Sequence, residues 1–508
     1  MISTINSISL HGIEGFLVKI EADVQNGIPL FNMVGLPDTT IKESKDRIRI
    51  SIKNSGFEFP IGKIIVNLAP AYLRKEGPHF DLPIAIGILH NIGTIKSFNF
   101  SEYAFLGELS LSGNITSVVG VLPMVLEAKK IGIKNIIIPY DNLNETTYIQ
   151  GINIYPVKTL KDVVMLLNKE YKVNPIIPSD LNSLLQYNLD FSEVKGQYLA
   201  KRALEISASG KHNILMIGPP GSGKTMLSKR IPTILPPLSL EESIETTKIH
   251  SISGKFVESS NFINVPPFRE PHHTSSFQSL IGGGYNALPG EISLAHNGVL
   301  FLDEFPEFKR ETLEALREPL ESGEIVISRV KGTYKYPAKF ILVSCMNPCK
   351  CGYYSYDSIN NKCNCNDYEI KSYRNKISHP LADRIDIHIS VESVSFQDIS
   401  SNKTEESSSA IRDRVLKVHK IQNIRFKNEN IKFNSEMENK HIKKYCILSS
   451  ECSKFLENTF NNLSLSTRAL NKVIKISRTI ADMECSDNIT IDHIAEAVQY
   501  RMLDRKFI

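Results

Sequence analysis

Apolar and polar residues alternate from Val18 to Val24, the period of a half-exposed strand. Ile64 to Leu68, Tyr103 to Leu109 and Asn135 to Ile138 are further strand candidates. Helix-period segments fall between them near 39–54, 81–92 and 122–131. Residues 1–170 therefore predict a compact α+β domain. Residues 171–189, with Pro175 and Pro178, lose the periodicity and read as a linker.

From residue 190 the pattern changes. A helix over 197–209 leads into Ile214 to Ile217, an unbroken apolar run. Val299 to Leu302, Phe340 to Ser344 and Ile387 to Val391 are runs of the same kind. Short apolar runs joined by helices predict a parallel sheet buried on both faces, hence an α/β domain over 190–395. Leu227 to Ile234 reads as one helix, basic at Lys229 and Arg230 and ended by prolines. Residues 235–297 read as a long loop, with Pro266-Pro267, His272-His273 and three glycines from Gly282. Such a stretch inside a compact domain is usually functional. Phe308 to Glu321 predicts a helix through Leu313, Leu316 and Leu320. Glu324 to Pro337 alternates around Lys331-Gly332 and predicts a β-hairpin with a basic tip. Residues 396–410 are Ser-rich and read as a second linker. Residues 411–508 are helical: a stripe through Leu470, Val473, Ile474, Ser477, Ile480 and Ala481 follows Ser466, and Thr490 caps a last helix.

Candidate chemistry sits at the ends of those apolar runs. Gly218-Pro219-Pro220-Gly221-Ser222-Gly223-Lys224-Thr225 fits G-x-x-x-x-G-K-[ST], a phosphate-binding loop. Its glycines let successive N–H groups face phosphate oxygens, Lys224 reaches the β/γ-phosphates, and Thr225 ligates magnesium. Asp303-Glu304 ends the next apolar run: Asp303 suits the magnesium shell and Glu304 suits polarising a water. The strand from Phe340 delivers Asn347, either an amide for the γ-phosphate or the water, or a turn-forming residue. Cys349-Lys350-Cys351 and Cys363-Asn364-Cys365 offer four thiolates to a tetrahedral zinc; the alternative is free thiols.

Composition narrows the class only slightly. The chain has 508 residues, enough for about three domains, and 42% apolar residues, ordinary for a globular protein. A net charge of +4 means that any nucleic-acid surface must be local. Arg329, Lys331 and Lys335 on the hairpin are the candidates, a merely solvated hairpin being the alternative. No run of 18 apolar residues predicts a membrane span, and the N-terminus lacks the pattern of a signal peptide, so a cytoplasmic protein is expected. Most of the eight cysteines lie between Cys345 and Cys365, which in a reducing compartment points to metal rather than disulfides.

Two resemblances extend these readings. Lys75-Glu76-Gly77-Pro78-His79-Phe80-Asp81 resembles the active-site segment of Lon-type proteases, with His79 where those have serine. Gly120-Val121-Leu122 resembles the segment carrying their lysine, with Leu122 in its place. A Ser–Lys dyad needs both groups, so the resemblance implies a Lon-like (S5-like) α+β fold without protease chemistry. The order of phosphate loop, Asp-Glu strand, Asn strand, Asp383-Arg384 segment and helical lid resembles an AAA+ P-loop ATPase. With the Lon-like front, the segment from Val194 to Arg230, the insert, the hairpin and the four cysteines, the chain resembles the YifB/ComM family of magnesium-chelatase-like AAA+ proteins. That implies a homohexameric, ATP-driven motor using ATP and magnesium; ComM-type members are associated with DNA branch migration in natural transformation. It implies that Arg384 reaches a neighbour's γ-phosphate and that Arg468, in Leu465-Ser466-Thr467-Arg468-Ala469, senses nucleotide from the lid; surface ion pairs are the alternative for both. Three functions compete: a DNA translocase, a metal-insertion ATPase and a protein-remodelling ATPase.

Overall fold

The computed structural model describes residues 2–96, 98–170, 174–178, 187–254, 262–329, 332–356, 362–394, 400, 405–463 and 466–503. They form two compact units: Met1–Ser183 with Leu240–Asn264, and Leu184–Ser239 with Val265–Ile508.

The first unit is built on a seven-stranded mixed sheet. Its strands stand in the order Leu30–Val34, Lys63–Ala69, Glu14–Gln25, Ser3–His11, Tyr103–Phe105, Asn135–Pro139, Asn153–Val157. Period-two alternation sends neighbouring side chains to different cores. Ile137 joins the core that holds Phe80, Ile84 and Ile88, while Ile136 and Ile138 join the one around Val121, Leu122 and Val125. Helix Thr39–Asn54 starts where Asp38 accepts a hydrogen bond from the Ile41 amide. Helices Asp81–Asn91 and Val121–Lys130 bury their apolar faces.

Two expectations for this unit change. The run from Tyr103 to Leu109 is two strands, Tyr103–Phe105 and Glu108–Leu109, in different sheets. Gly107 lies at the break, where a Cβ would meet Ile115 at 2.7 Å. Leu240–Ile252, inside the stretch read as loop, is a 13-residue helix in the first unit. Its buried side includes Ser243, Thr246, Thr247 and Ser251, so no apolar stripe marks it. Ser251 Oγ donates to the buried carboxylate of Glu145 at 2.5 Å, which explains a polar residue there.

The second unit carries a five-stranded, wholly parallel sheet. Its order is Phe268–Arg269, Val299–Leu302, Ile341–Met346, Ile214–Ile217, Ile387–Ser390. All four residues of Ile214–Ile217 and of Val299–Leu302 are buried, as unbroken apolar runs require. Ile214–Ile217 is first in the chain but lies between the third-last and last strands in space. That reversal of order opens a crevice at the strands' carboxyl ends, where α/β sheets bind ligands. The C-terminal helices Thr467–Met483 and Ile491–Gln499, capped by Ser466 and Thr490, contribute Val473, Ile476, Ile480 and Ile494 to the same core as Ile214 and Met216. Helix Ser408–Arg425 begins within the stretch read as a second linker, capped by Ser407.

Two long helices expected here are broken. Lys224–Ser228 and Ile231–Ile234 are separate, with Pro232 in the first turn of the second. Arg230 between them is buried, donating to the Asp190 carbonyl and paired with Glu193. Arg310–Glu314 and Arg317–Ser322 are likewise distinct. The hairpin is formed, with Glu324–Arg329 antiparallel to Gly332–Pro337 and Arg329 opposite Gly332. Within the remaining insert, Phe277–Ile281 and Glu291–Leu294 are short helices, and Gly282–Gly283 pairs with Leu288–Pro289.

Candidate nucleotide site and cysteine cluster

The phosphate loop leaves the sheet at Gly218, whose N–H donates to the Met346 carbonyl at 3.2 Å. A Cβ there would sit 2.1 Å from the Val391 carbonyl oxygen, so the loop leaves the sheet only through glycine. Gly221 and Gly223 take φ of 75° and 89°, the left-handed region that a wrapping loop needs. Lys224 is 8% exposed. Its Nζ donates to the carbonyls of Gly218 and Pro219, each at 2.8 Å, and lies 3.3 Å from Ser222 Oγ and 3.5 Å from Asn347 Oδ1. Burial pushes the ammonium below the usual lysine range, against the opposing fields of Cys345 and Asp303.

Thr225 Oγ1 donates to Asp303 Oδ2 at 2.7 Å, joining the loop to the Asp-Glu strand end two strands away in the sheet. Hydroxyl and carboxylate oxygens side by side are the hard donors that magnesium takes. Asp303 Oδ1 accepts from the Glu304 amide at 2.9 Å. Glu304 has φ of 50° and its side chain is 57% exposed; Oε2 lies 3.0 Å from His273 Nδ1. The structure thus brings Lys224, Thr225, Asp303 and Asn347 together, with Glu304 next in the chain.

Arg384 and Arg468 belong to a different group. Arg384 Nη2 donates to Glu321 Oε2 at 2.6 Å and Nη1 to the Pro380 carbonyl at 2.7 Å. Arg384 leads, with the fields of the exposed Arg468 and of Arg317 adding to it, in holding Glu321 below the usual carboxylate range. Glu321, Arg384 and Arg317 also line a cavity of about 620 Å³ together with the first strand of the hairpin, Ile325 to Arg329. On the hairpin, Ile325, Ile327 and Tyr336 face inward, and Tyr336 OH donates to the Ala287 carbonyl at 2.9 Å. Lys335 is exposed on its other side, whereas Arg329, two residues on from Ile327, is exposed on the inward face beside Gly283; Lys331 lies outside the described residues.

The four cysteines converge, all their sulfurs within 4.8 Å of one another. Cys349 Sγ is 3.3 Å from Cys351 Sγ and 3.8 Å from Cys363 Sγ, and Cys351 to Cys363 is 3.6 Å. A tetrahedral ion with bonds of about 2.3 Å to sulfur needs edges near ~3.8 Å. The spacing therefore fits a metal and is far from a disulfide of about 2.05 Å. The turn just after Cys351 touches the phosphate loop: a Cβ on Gly352 would meet Pro220 Cδ at 2.7 Å.

Sequence reasoning missed the partners His273 and Glu321. The His272-His273 pair is conspicuous in the sequence, but its partner is assigned only by strand pairing.

Comparison with known proteins defines the class. Residues 190–399 match the family described as magnesium chelatase, subunit ChlI; residues 20–142 match subunit ChlI of Mg-chelatase, and 405–501 its C-terminal part. This is a protein of magnesium-chelatase type with an AAA+ α/β core. YifB of Salmonella typhimurium is 41% identical over 98% of this chain and 96% of its own length. Competence protein ComM of Haemophilus influenzae is 42% identical over 97% and 96%. The chain belongs to the YifB/ComM family of magnesium-chelatase-like AAA+ proteins. A Lon protease of Leptospira interrogans is 27% identical over 39% of this chain and 25% of its own. Among the described residues, no helix is long and apolar enough to cross a membrane.

Proposed function

We propose that this chain is an ATP-hydrolysing AAA+ motor that assembles as a homohexameric ring and translocates on DNA, as a helicase or branch-migration enzyme in natural transformation or recombination. The observation that carries the reading is the convergence of Lys224, Thr225, Asp303 and Asn347 at the carboxyl end of one parallel sheet. The full-length likeness to a competence protein supplies the biological setting.

In this reading Gly218 to Thr225 holds ATP, Thr225 and Asp303 hold magnesium, and Glu304 orients and polarises the attacking water. Asn347 positions the γ-phosphate end. Arg384 serves the neighbouring subunit's nucleotide, and Arg468 senses nucleotide from a helical lid over 411–508. Cys349, Cys351, Cys363 and Cys365 bind one structural zinc that staples their loop against the phosphate loop. Arg329, Lys331 and Lys335 contact DNA phosphates. Residues 1–170 form a Lon-like domain without peptidase chemistry, and the protein works in the cytoplasm.

The family description favours a second reading, a metal-insertion ATPase that shares the nucleotide core. ATPase assays with single-stranded, duplex and branched DNA separate the two. Several-fold stimulation by DNA is expected, steeply reduced by salt because each phosphate contact adds about one unit to the slope of log affinity against log salt. ATP turnover indifferent to all three DNAs at low salt rejects the translocase.

A further inference from the structure

Asn347 is the first residue after strand Ile341–Met346, and its amide is placed by whatever holds the backbone on either side. On the near side, the Gly218 N–H of the phosphate loop holds the Met346 carbonyl at 3.2 Å. On the far side stands Pro348, which has no N–H, so only its carbonyl can be tied. Arg374 ties it: Nε donates to the Pro348 carbonyl at 3.1 Å.

Arg374 arrives from the cysteine loop. Asn366, directly after Cys365, caps helix Asp367–Arg374. Its side chain accepts from the Glu369 amide at 2.8 Å, and the Glu369 carboxylate accepts from the Asn366 amide at 3.0 Å. Ile370 and Tyr373 are the buried residues of this helix, and Tyr373 brings its hydroxyl to the Asn347 backbone. Arg374, at the last position, lays its guanidinium over the Tyr354 ring, 4.9 Å from the centroid. Burial pushes that guanidinium below its usual range, so the bond to the carbonyl is made against a desolvation cost. Tyr354 belongs to the turn after Cys351, and that turn also reaches the site. Gly352 has φ of 91°, and a Cβ there would lie 3.9 Å from Asn347 Cγ. Both sides of the cysteine loop therefore converge on Asn347.

We propose that Arg374 is a positioning residue for Asn347: by anchoring the Pro348 carbonyl it fixes the backbone beyond the strand and keeps the Asn347 amide beside Lys224, where Oδ1 lies 3.5 Å from Nζ. The inference rests on the reading of Asn347 as the group that positions the γ-phosphate. A helix anchor of purely structural use would set stability and leave the turnover of the folded protein unchanged.

The test uses the full chain with ATP and magnesium, comparing Arg374→Met, Arg374→Lys, Asn347→Ala and the Arg374→Met/Asn347→Ala double variant. Met keeps an apolar stem and donates nothing; Lys keeps a donor and a cation over Tyr354. Arg374→Met should lower kcat about tenfold, within the ~10²-fold that a misplacement of about 1 Å can cost. KM for ATP should stay within about threefold, Arg374→Lys should recover most of the rate, and the double variant should be no slower than Asn347→Ala, because residues acting as a unit are not additive. Tyr354→Leu, which removes the ring beneath the guanidinium, should give a loss of about two- to threefold of the same kind, and it carries the test should Arg374→Met not fold. Parental kcat in the folded removal variant, a loss residing in KM, no recovery with Lys, or additive losses in the double variant overturns the proposal. Parental turnover in Asn347→Ala instead removes the role of Asn347, so the two failures are distinguishable.

Discussion

Each unit has a glycine-bearing turn that leads into a helix, and the two turns are filled in opposite ways. In the ATPase unit, Gly218 to Thr225 gathers polar atoms from two neighbouring strand ends, Asp303 and Asn347. In the N-terminal unit, Gly77 with φ of 99° turns into helix Asp81–Asn91, but core packing takes the place of a site. His79 is 5% exposed and packs on Phe80 with centroids 4.0 Å apart. Burial pushes its imidazole down to about 4. Asp81 is bonded to Arg47 at 2.6 Å, yet burial pushes its carboxyl up to about 6. Leu122, where the resemblance would call for lysine, is fully buried. Both turns also have a buried lysine: Lys75 donates to the carbonyls of Gly35 and Pro70, much as Lys224 donates to those of its loop. A buried ammonium therefore does not mark a site. What separates the two is the company of Lys224, which has the Ser222 hydroxyl of its own loop at 3.3 Å and the Asn347 amide oxygen from another strand end at 3.5 Å.

The sharpest way to break this contrast is Glu304→Gln. Turnover should fall by about 10²-fold or more, with nucleotide still bound, and a near-normal rate would leave the ATPase turn no more chemical than the other. Next in size is the cysteine loop. Metal analysis of anaerobically purified protein should find one zinc per chain. Cys363→Ser should lose it and lower ATPase several-fold, because a loop folded by metal loses its structure without it and here lies against Pro220. Absence of zinc from the unmodified protein rejects the site.

The smallest effect on ATPase should come from His79→Gln, which leaves turnover within about twofold at pH 7.5. Its effect is on acid stability. The native imidazole takes its proton near 4, below the unfolded value of about 6.5, so the unfolded chain binds the proton first. Stability is therefore present above about 6.5 and is lost as pH falls toward 4, by ~3 kcal/mol for this one group. Asp81 acts in the reverse sense: its raised value makes the folded state bind the proton first, so stability is lost as pH rises toward 6, and this contribution persists in the variant. Between pH 7.5 and 4 the unfolding midpoint of His79→Gln should therefore fall less, or rise more, than that of the parent. An equal acid loss in variant and parent would show that His79 is not the group responsible.

The legible parts of this protein are those whose physics is local. The glycine turn from Gly218 to Thr225 was readable because its glycines and Lys224-Thr225 lie within eight consecutive residues, and the helix starts at Ser466 and Thr490 because a cap acts over three residues. The unbroken apolar runs revealed the parallel sheet because burial on both faces leaves no room for alternation. Leu240–Ile252 escaped because its buried side is largely Ser and Thr, and Ser251 finds its partner, Glu145, only across the fold.

By itself, then, the order of residues marked the buried strands of the parallel sheet, the capped C-terminal helices, the glycine turn from Gly218 to Thr225, and which four sulfurs are available to a metal. Only tertiary structure decided the company those groups keep. His273 meets Glu304 because two distant strands pair in one register. Arg384 meets Glu321, and Lys472 lies 3.0 Å from the buried carboxylate of Asp386, across separations that periodicity does not encode. The reason is physical: dihedral preferences and apolar spacing act within a few residues, whereas the partner of a buried charge is selected by whichever strand or helix the folded core brings alongside it.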